Sequence, residues 1–262
     1  MRATRVEARG SLLALALGLW ASSAQGLDPG RAVTQYRHDA WTTREGLPQS
    51  SVESIAQTPD GYLWLGTQEG LAQFDGIRIT VFDKSNTRAL RHNRVTALLA
   101  DRAGSLWVGT EGGGVARLRG REWTLASTGL PNPRVRCLAQ DERGTVWAGT
   151  DEGLVRWQES RFVADPAWDV RLRGPISALH AGPGGRLFVG VQDGLLSMSP
   201  GVAGVHEVGG SDWGVVKAVL QDPSGRLWVG TTGGLFVGAL GGEAPASFRA
   251  VLPGRVVTAI RR

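Results

Sequence analysis

The stretch that decides the fold runs from Gly46 to Gly76, GLPQSSVESIAQTPDGYLWLGTQEGLAQFDG. It holds an apolar alternation (Val52-Glu53-Ser54-Ile55), a turn ending in glycine (Pro59-Asp60-Gly61), the string GYLWLGT (Gly61 to Thr67), a second turn, and the run Gly70-Leu71-Ala72-Gln73-Phe74. Short apolar segments punctuated by glycine read as antiparallel strands, because glycine supplies the positive φ of a tight hairpin. The string returns as GSLWVGT (Gly104 to Thr110), GTVWAGT (Gly144 to Thr150), GRLFVGV (Gly185 to Val191) and GRLWVGT (Gly225 to Thr231). Its aromatic residues, Trp64, Trp107, Trp147, Phe188 and Trp228, follow one another at steps of 43, 40, 41 and 40 residues.

Each repeat opens with a strand pattern, beginning at Val52, Val95, Val135, Ile176 and Val216, and a sixth opening is present at Val257-Thr258-Ala259-Ile260. A fourth strand is predicted to close each unit, over residues 77–82, 122–125, 161–164, 205–208 and 247–251. Four short strands per unit of about 41 residues are the signature of a propeller blade. The predicted fold is therefore all-β: a β-propeller of four-stranded blades, with five complete repeats and parts of a sixth in an incomplete ring. One blade cannot bury both its faces alone, so blades stack and cover one another. The repeated aromatics are expected to pack between blades, and Gly66, Gly109, Gly149, Gly190 and Gly230 to permit close approach of the next sheet. Val33–Tyr36 reads as an outer strand able to join a last blade whose inner strand is residues 256–260. That blade lacks its two middle strands, so the propeller region, residues 27–262, reads as truncated at its C-terminus.

Of 262 residues 38 are Gly, about twice the usual share, which argues against long helices. With 42% hydrophobic residues and 10 Trp the chain can bury a core, which excludes disorder from lack of apolar surface. A formal charge of +5 without basic runs argues against a nucleic-acid partner. The single Cys137 cannot form an internal disulfide. Residues 1–26 read as a signal peptide: a basic start, an apolar segment from Leu12 to Trp20, then small residues that allow cleavage after Ala24 or Gly26. The alternative is an uncleaved anchor, and either reading exports the remainder. No later segment has the ~20 apolar residues of a transmembrane helix.

The pattern V-x-x-[IL]-x-x-[DT]-x-x-G-x-L-W-x-G-T-x-x-G-L, preceded by Gly46-Leu47-Pro48, resembles the two-component regulator propeller repeat, over about residues 33–262. The fourth repeat departs from it, with Phe188 for Trp, Val191 for Thr and Gly182 for Asp. The resemblance implies the periplasmic sensor region of a membrane-bound protein whose cytoplasmic output is a histidine kinase or a diguanylate cyclase. It implies as partners an extracellular ligand and a membrane-spanning output domain. It leaves a homodimer of the full-length protein open. No output signature occurs in these residues, so catalysis is not assigned to this chain.

His38, His92, His180 and His206 have no metal-ligand spacing, and no cofactor motif is present. Cys137 falls in a column of small residues (Ser54, Ala97, Ala178, Ala218, Ala259) and reads as core. The loops joining the second to the third strand carry Glu69, Glu111, Asp151, Glu152 and Asp193, and those leading into each inner strand carry Arg91, His92, Arg94, Arg134, Arg171 and Arg173, a mixed charge suited to a sugar, an oligosaccharide or a charged metabolite. Both loop sets emerge on one face, where a scaffold concentrates binding residues. The second residue of each inner strand stays polar while its identity changes (Glu53, Thr96, Arg136, Ser177, Lys217, Thr258), as expected beside a water-filled channel. Glu53, Arg136 and Lys217 are accordingly the charges expected to face a ligand. The rival readings are a secreted propeller enzyme, such as a lyase or a glycan-cleaving protein, and a protein-interaction scaffold.

Overall fold

The computed structural model describes residues 39–166, 168, 170–199, 204–210, 212–239 and 247–260. The expected signal peptide and the strand expected at Val33–Tyr36 lie outside the described residues. From Trp41 onward the chain forms one unit built of five antiparallel sheets, each with its strands in sequence order. The first blade holds β1 (Val52–Gln57), β2 (Leu63–Thr67), β3 (Leu71–Phe74) and β4 (Ile79–Phe82). The second holds β5 (Val95–Ala100), β6 (Ser105–Thr110), β7 (Val115–Arg119) and β8 (Glu122–Leu125). The third holds β9 (Val135–Gln140), β10 (Val146–Thr150), β11 (Gly153–Gln158) and β12 (Arg161–Val163). The fourth holds β13 (Ala178–Ala181), β14 (Leu187–Val191), β15 (Gly194–Met198) and β16 (Val205–Gly209), and the fifth β17 (Val216–Gln221), β18 (Arg226–Thr231), β19 (Gly234–Ala239) and β20 (Phe248–Pro253).

The inner strands β1, β5, β9, β13 and β17 pack against one another in succession. Side chains alternate faces along a strand, so the second strand of each blade serves two interfaces. Trp107 points toward the third blade while Leu106 and Val108 point back toward the first. Four hydrophobic cores result, one between each pair of successive blades: around Trp64 with Leu106 and Val108, around Trp107 with Val146 and Ala148, around Trp147 with Leu187 and Val189, and around Phe188 with Leu227 and Val229. Four of the five repeat aromatics are thus sealed between blades. Trp228 is only partly buried and carries the Arg226 guanidinium 5.7 Å from its ring. Truncating a sealed aromatic of this kind to Ala costs about 3–5 kcal/mol.

The repeat glycines sit where the sheets approach most closely. A Cβ built on Gly149 would lie 2.5 Å from Cys137 Sγ in its own blade and 2.6 Å from Ile176 Cγ2 of the next. Val95, Val135, Val216 and Val257 press in the same way on Gly66, Gly109, Gly190 and Gly230. Val257 therefore takes the place of a blade opener, and its N–H donates to Thr231 O at 2.9 Å. The strand expected over 256–260 is nevertheless not formed. An inner strand is held by the second strand of its own blade, and among the described residues none is present for it. On the side of β1 that faces away from β5, Val52 is 38% exposed, whereas its counterparts Val95, Val135 and Val216 are sealed.

Candidate ligand-binding face

Four of the six residues in the variable polar column are β-bulges; of the others, Ser177 precedes β13, which starts at Ala178 and not at the expected Ile176, and Thr258 lies in no strand. In β1, Val52 lies opposite Thr67 and Ser54 opposite Gly66, so Glu53 is the extra residue. The same shift isolates Thr96 in β5, Arg136 in β9 and Lys217 in β17. The bulge lets the opening valine reach over the preceding blade's glycine while the third residue still faces the glycine of its own blade. A bulged residue is left out of the ladder and its side chain is re-aimed, so no packing partner dictates its type. Thr96 differs from its charged counterparts: its hydroxyl is spent on the carbonyls of Gly109 and Val135.

Three blades are joined across this face by a chain of alternating charge. Arg94 Nε lies 3.0 Å from Glu53 Oε1, and Arg94 NH1 lies 2.8 Å from Glu111 Oε2. Arg134 continues the chain, 3.5 Å from Glu111 and 3.3 Å from Asp151, and Arg136 closes it on the other oxygen of Asp151. The hydrogen bond to Glu53, ahead of the charges of Glu53 and Glu111, raises the Arg94 pKa above its usual value and keeps it a cation. These side chains are between 22% and 47% exposed, so each pair is worth at most about 1 kcal/mol and is screened by salt. A ligand carrying charge or hydroxyl groups can exchange with such pairs at little cost.

Glu53, Glu111, Asp151 and Arg136 are thus brought together, and Glu152 stands next to them, accepting from Asn132 Nδ2 at 3.0 Å. His92 is half-buried, with its Nδ1 accepting the Arg94 N–H at 3.1 Å. Arg91 is exposed beside it. Asp193 and Lys217 stand exposed on the fourth and fifth blades, outside the chain of ion pairs. The residues that connect the face, Arg94 and Arg134, were visible in sequence only as loop charges. The signal that marks them is a basic residue immediately before a blade-opening valine, in Arg94-Val95 and Arg134-Val135.

Other reactive groups are committed to packing. Burial pushes the Cys137 thiol up to about 12, and its S–H faces the Ile176 carbonyl of the next blade. Among the described residues no cluster of His, Cys, Asp or Glu side chains is placed to hold a metal ion, and no helix is long and apolar enough to cross a membrane.

Five four-stranded blades packed through a recurrent aromatic and glycine define a β-propeller repeat protein. Four stretches of the chain, residues 46–69, 89–112, 129–152 and 210–233, match the two component regulator propeller family. The fourth blade, with Phe188 and Gly182, falls outside these matches. Similar solved structures include the extracellular domain of BT3049 from B. thetaiotaomicron, assigned as a hybrid two component system, at 21% identity and a TM-score of 0.69, with 82% of this chain and 32% of that one covered. The extracellular domain of BT4673 from the same organism, assigned as a one component system, aligns at 18% identity and a TM-score of 0.61, covering 81% of this chain and 30% of that one. A catalytically inactive virginiamycin B lyase from Staphylococcus aureus, solved with quinupristin, aligns at 13% identity and a TM-score of 0.63, covering 79% and 73%. This chain spans about a third of the length of the first two. At these identities the likeness is one of fold. No curated protein matches the sequence.

Proposed function

We propose that this chain is the periplasmic, non-catalytic sensor propeller of a transmembrane signalling protein, reading an extracellular ligand through the charged face of its first three blades. The observation that carries the reading is the ion-pair chain from Glu53 to Arg136. It ties three blades together through half-exposed contacts, so a ligand that replaces one contact alters how neighbouring blades are held. The repeat family and the two extracellular domains from two component and one component systems support this setting. A hydroxyl-rich ligand such as a carbohydrate suits alternating guanidinium and carboxylate groups, which offer donors and acceptors in turn. The output, a histidine kinase or a diguanylate cyclase, belongs to the full-length protein.

The reading is tested in the full-length protein by exchanging Arg136 and Lys217 for Ala. The dose response to the stimulus is expected to shift while the melting temperature stays near that of the parent. An unchanged dose response removes this face from sensing. Appearance of the mature N-terminus at Gln25 or Leu27 in a periplasmic fraction tests the export step. A lyase reading has one favouring observation, the shared fold with virginiamycin B lyase. It requires an acid and base converging on one pocket, and turnover of virginiamycin B by the purified chain would establish it.

A further inference from the structure

A second site lies at the opposite end of the blades, away from the charged face. A cleft of about 460 Å³ opens between the first and second blades, walled by Trp64, Tyr62, Phe82 and Trp123, with Gln73 and Asp60 on its polar side. Its rings pack on one another, with Phe82 5.7 Å and Trp123 6.4 Å from Trp64, and with Trp64 sealed it is the half-buried Phe82 and Trp123 that present ring surface to the cleft.

Comparison with the next blades shows what such a space holds. Gln73 is the residue paired with Trp64 across the sheet. In the second blade the same position is Arg117, paired with Trp107, and in the third it is Arg156, paired with Trp147. Arg117 lays its guanidinium 4.6 Å from the Trp107 ring centre, donates to Ser105 Oγ at 2.9 Å and stands 3.9 Å from Asp101. Arg156 places its guanidinium 5.7 Å from Trp168 and 3.8 Å from Asp165. The second and third blades thus fill the position with a guanidinium beside an aromatic face and a carboxylate, whereas the fourth and fifth carry Ser197 and Val237 there. The first blade has Thr58 at the position of Asp101 and no guanidinium of its own, but its turn supplies a different carboxylate, Asp60, which accepts from the Thr58 hydroxyl at 2.5 Å. The space is widened again where Leu118 stands at the position of Trp157, each paired with the ring of its outer strand, Trp123 or Phe162.

We propose that this cleft binds a guanidinium group supplied by a ligand, which lies against the partly exposed rings of Phe82 and Trp123 and pairs with Asp60. A cation over an aromatic face gains most where water is displaced, and the volume falls in the range of small-molecule sites. Arg121 also lines the cleft and would repel a bare cation, so the ligand carries an anionic group as well, as free arginine does.

The test is calorimetric titration of the purified chain with L-arginine and with L-citrulline, which has the same shape without the charge. Saturable binding of L-arginine is expected, with citrulline roughly tenfold weaker or worse. The Gln73→Arg variant supplies the guanidinium internally, as the second and third blades do. It is expected to lose L-arginine binding while its melting temperature is kept or raised. The more conservative Asp60→Asn variant should weaken L-arginine binding and leave citrulline unaffected. Equal affinity for the two ligands, unaltered binding in Gln73→Arg, or no saturation at millimolar L-arginine would each overturn the proposal.

Discussion

Asp141 Oδ2 accepts the indole N–H of Trp147 at 2.9 Å, while Oδ1 of the same carboxylate accepts the backbone N–H groups of Arg143 and Thr145. One side chain therefore closes the turn between the first two strands and satisfies the only polar atom of the largest core residue. The pairing recurs in Asp101 with Trp107 and in Asp222 with Trp228. In the first blade the Thr58 hydroxyl takes the carboxylate's place, at 3.0 Å from Trp64 Nε1. In the fourth, both partners are lost together: Phe188 has no N–H to satisfy, and a Cβ on Gly182 would lie 2.9 Å from its ring. The turn residue and the core aromatic act as one unit.

It follows that Asp141→Ala should cost about 1–3 kcal/mol, because it strands a buried donor and uncaps the turn. Trp147→Phe alone should also destabilise, since it leaves the carboxylate buried without its partner. The double variant Asp141→Gly with Trp147→Phe reproduces the pair found in the fourth blade. It should be less damaged than the sum of the single changes by about 0.5–3 kcal/mol. Urea unfolding of the four proteins measures that coupling, and strict additivity would separate the turn from the ring.

The glycine between blades gives a prediction of a different kind. Gly149→Ala adds a methyl against Cys137 Sγ on one side and Ile176 on the other, both well inside contact distance. Overpacking of this sort costs about 1–3 kcal/mol. Gly61→Ala meets nothing within 4 Å, yet Gly61 has φ +91°, so its cost is backbone strain of about 1–2 kcal/mol. Replacing Ile176 by Ala should recover part of the first loss and none of the second, as read from chemical denaturation of the combined variants.

The contrast between these glycines shows what could be read in advance. Gly66 and its counterparts announced close approach because a backbone constraint acts on one residue and repeats with the period. The turn glycines did so as well, and Gly61, Gly104, Gly144, Gly185 and Gly225 all have positive φ. The bulge at Glu53 was legible only as a polar column, since a bulge is a mismatch between two strands and neither strand shows it alone. Arg94 bonds a carboxylate 41 residues earlier and another 17 later, and its role depends on the distance between blades, which no local pattern encodes. The cleft lined by Gln73 and Trp123 depends in the same way on what two neighbouring blades leave unfilled.

His180 couples the fourth and fifth blades to pH. Its Nε2 accepts the Gln221 N–H at 3.1 Å, and burial holds its pKa below the usual 6.5. Above that pH both folded and unfolded chains carry a neutral imidazole, so the group adds no slope. Below it the unfolded chain takes up a proton that the folded chain resists, and stability falls until the lower folded pKa is passed. His180→Gln keeps an acceptor without a titrating group. The difference in melting temperature between pH 7.5 and pH 5 should therefore be smaller in the variant than in the parent, and an equal difference would place the acid sensitivity elsewhere.

The ion-pair face should respond to salt where the cores do not. Arg94 joins Glu53 of the first blade to Glu111 of the second through side chains that are 38%, 22% and 27% exposed. Exposure on this scale limits the loss in Arg94→Met to about 1 kcal/mol, and screening should remove most of it near 1 M salt, where charges are felt over only about 3 Å. Glu53→Gln should act on the same contact, so combining the two substitutions should cost little more than either alone. Thermal melting across a salt series measures both points. A loss that persisted at high salt would mean that Arg94 contributes through packing of its aliphatic stem, and the face would then be a fixed clamp. A loss that vanished would leave the blades joined there by exchangeable charge, the property a ligand needs in order to replace one of them.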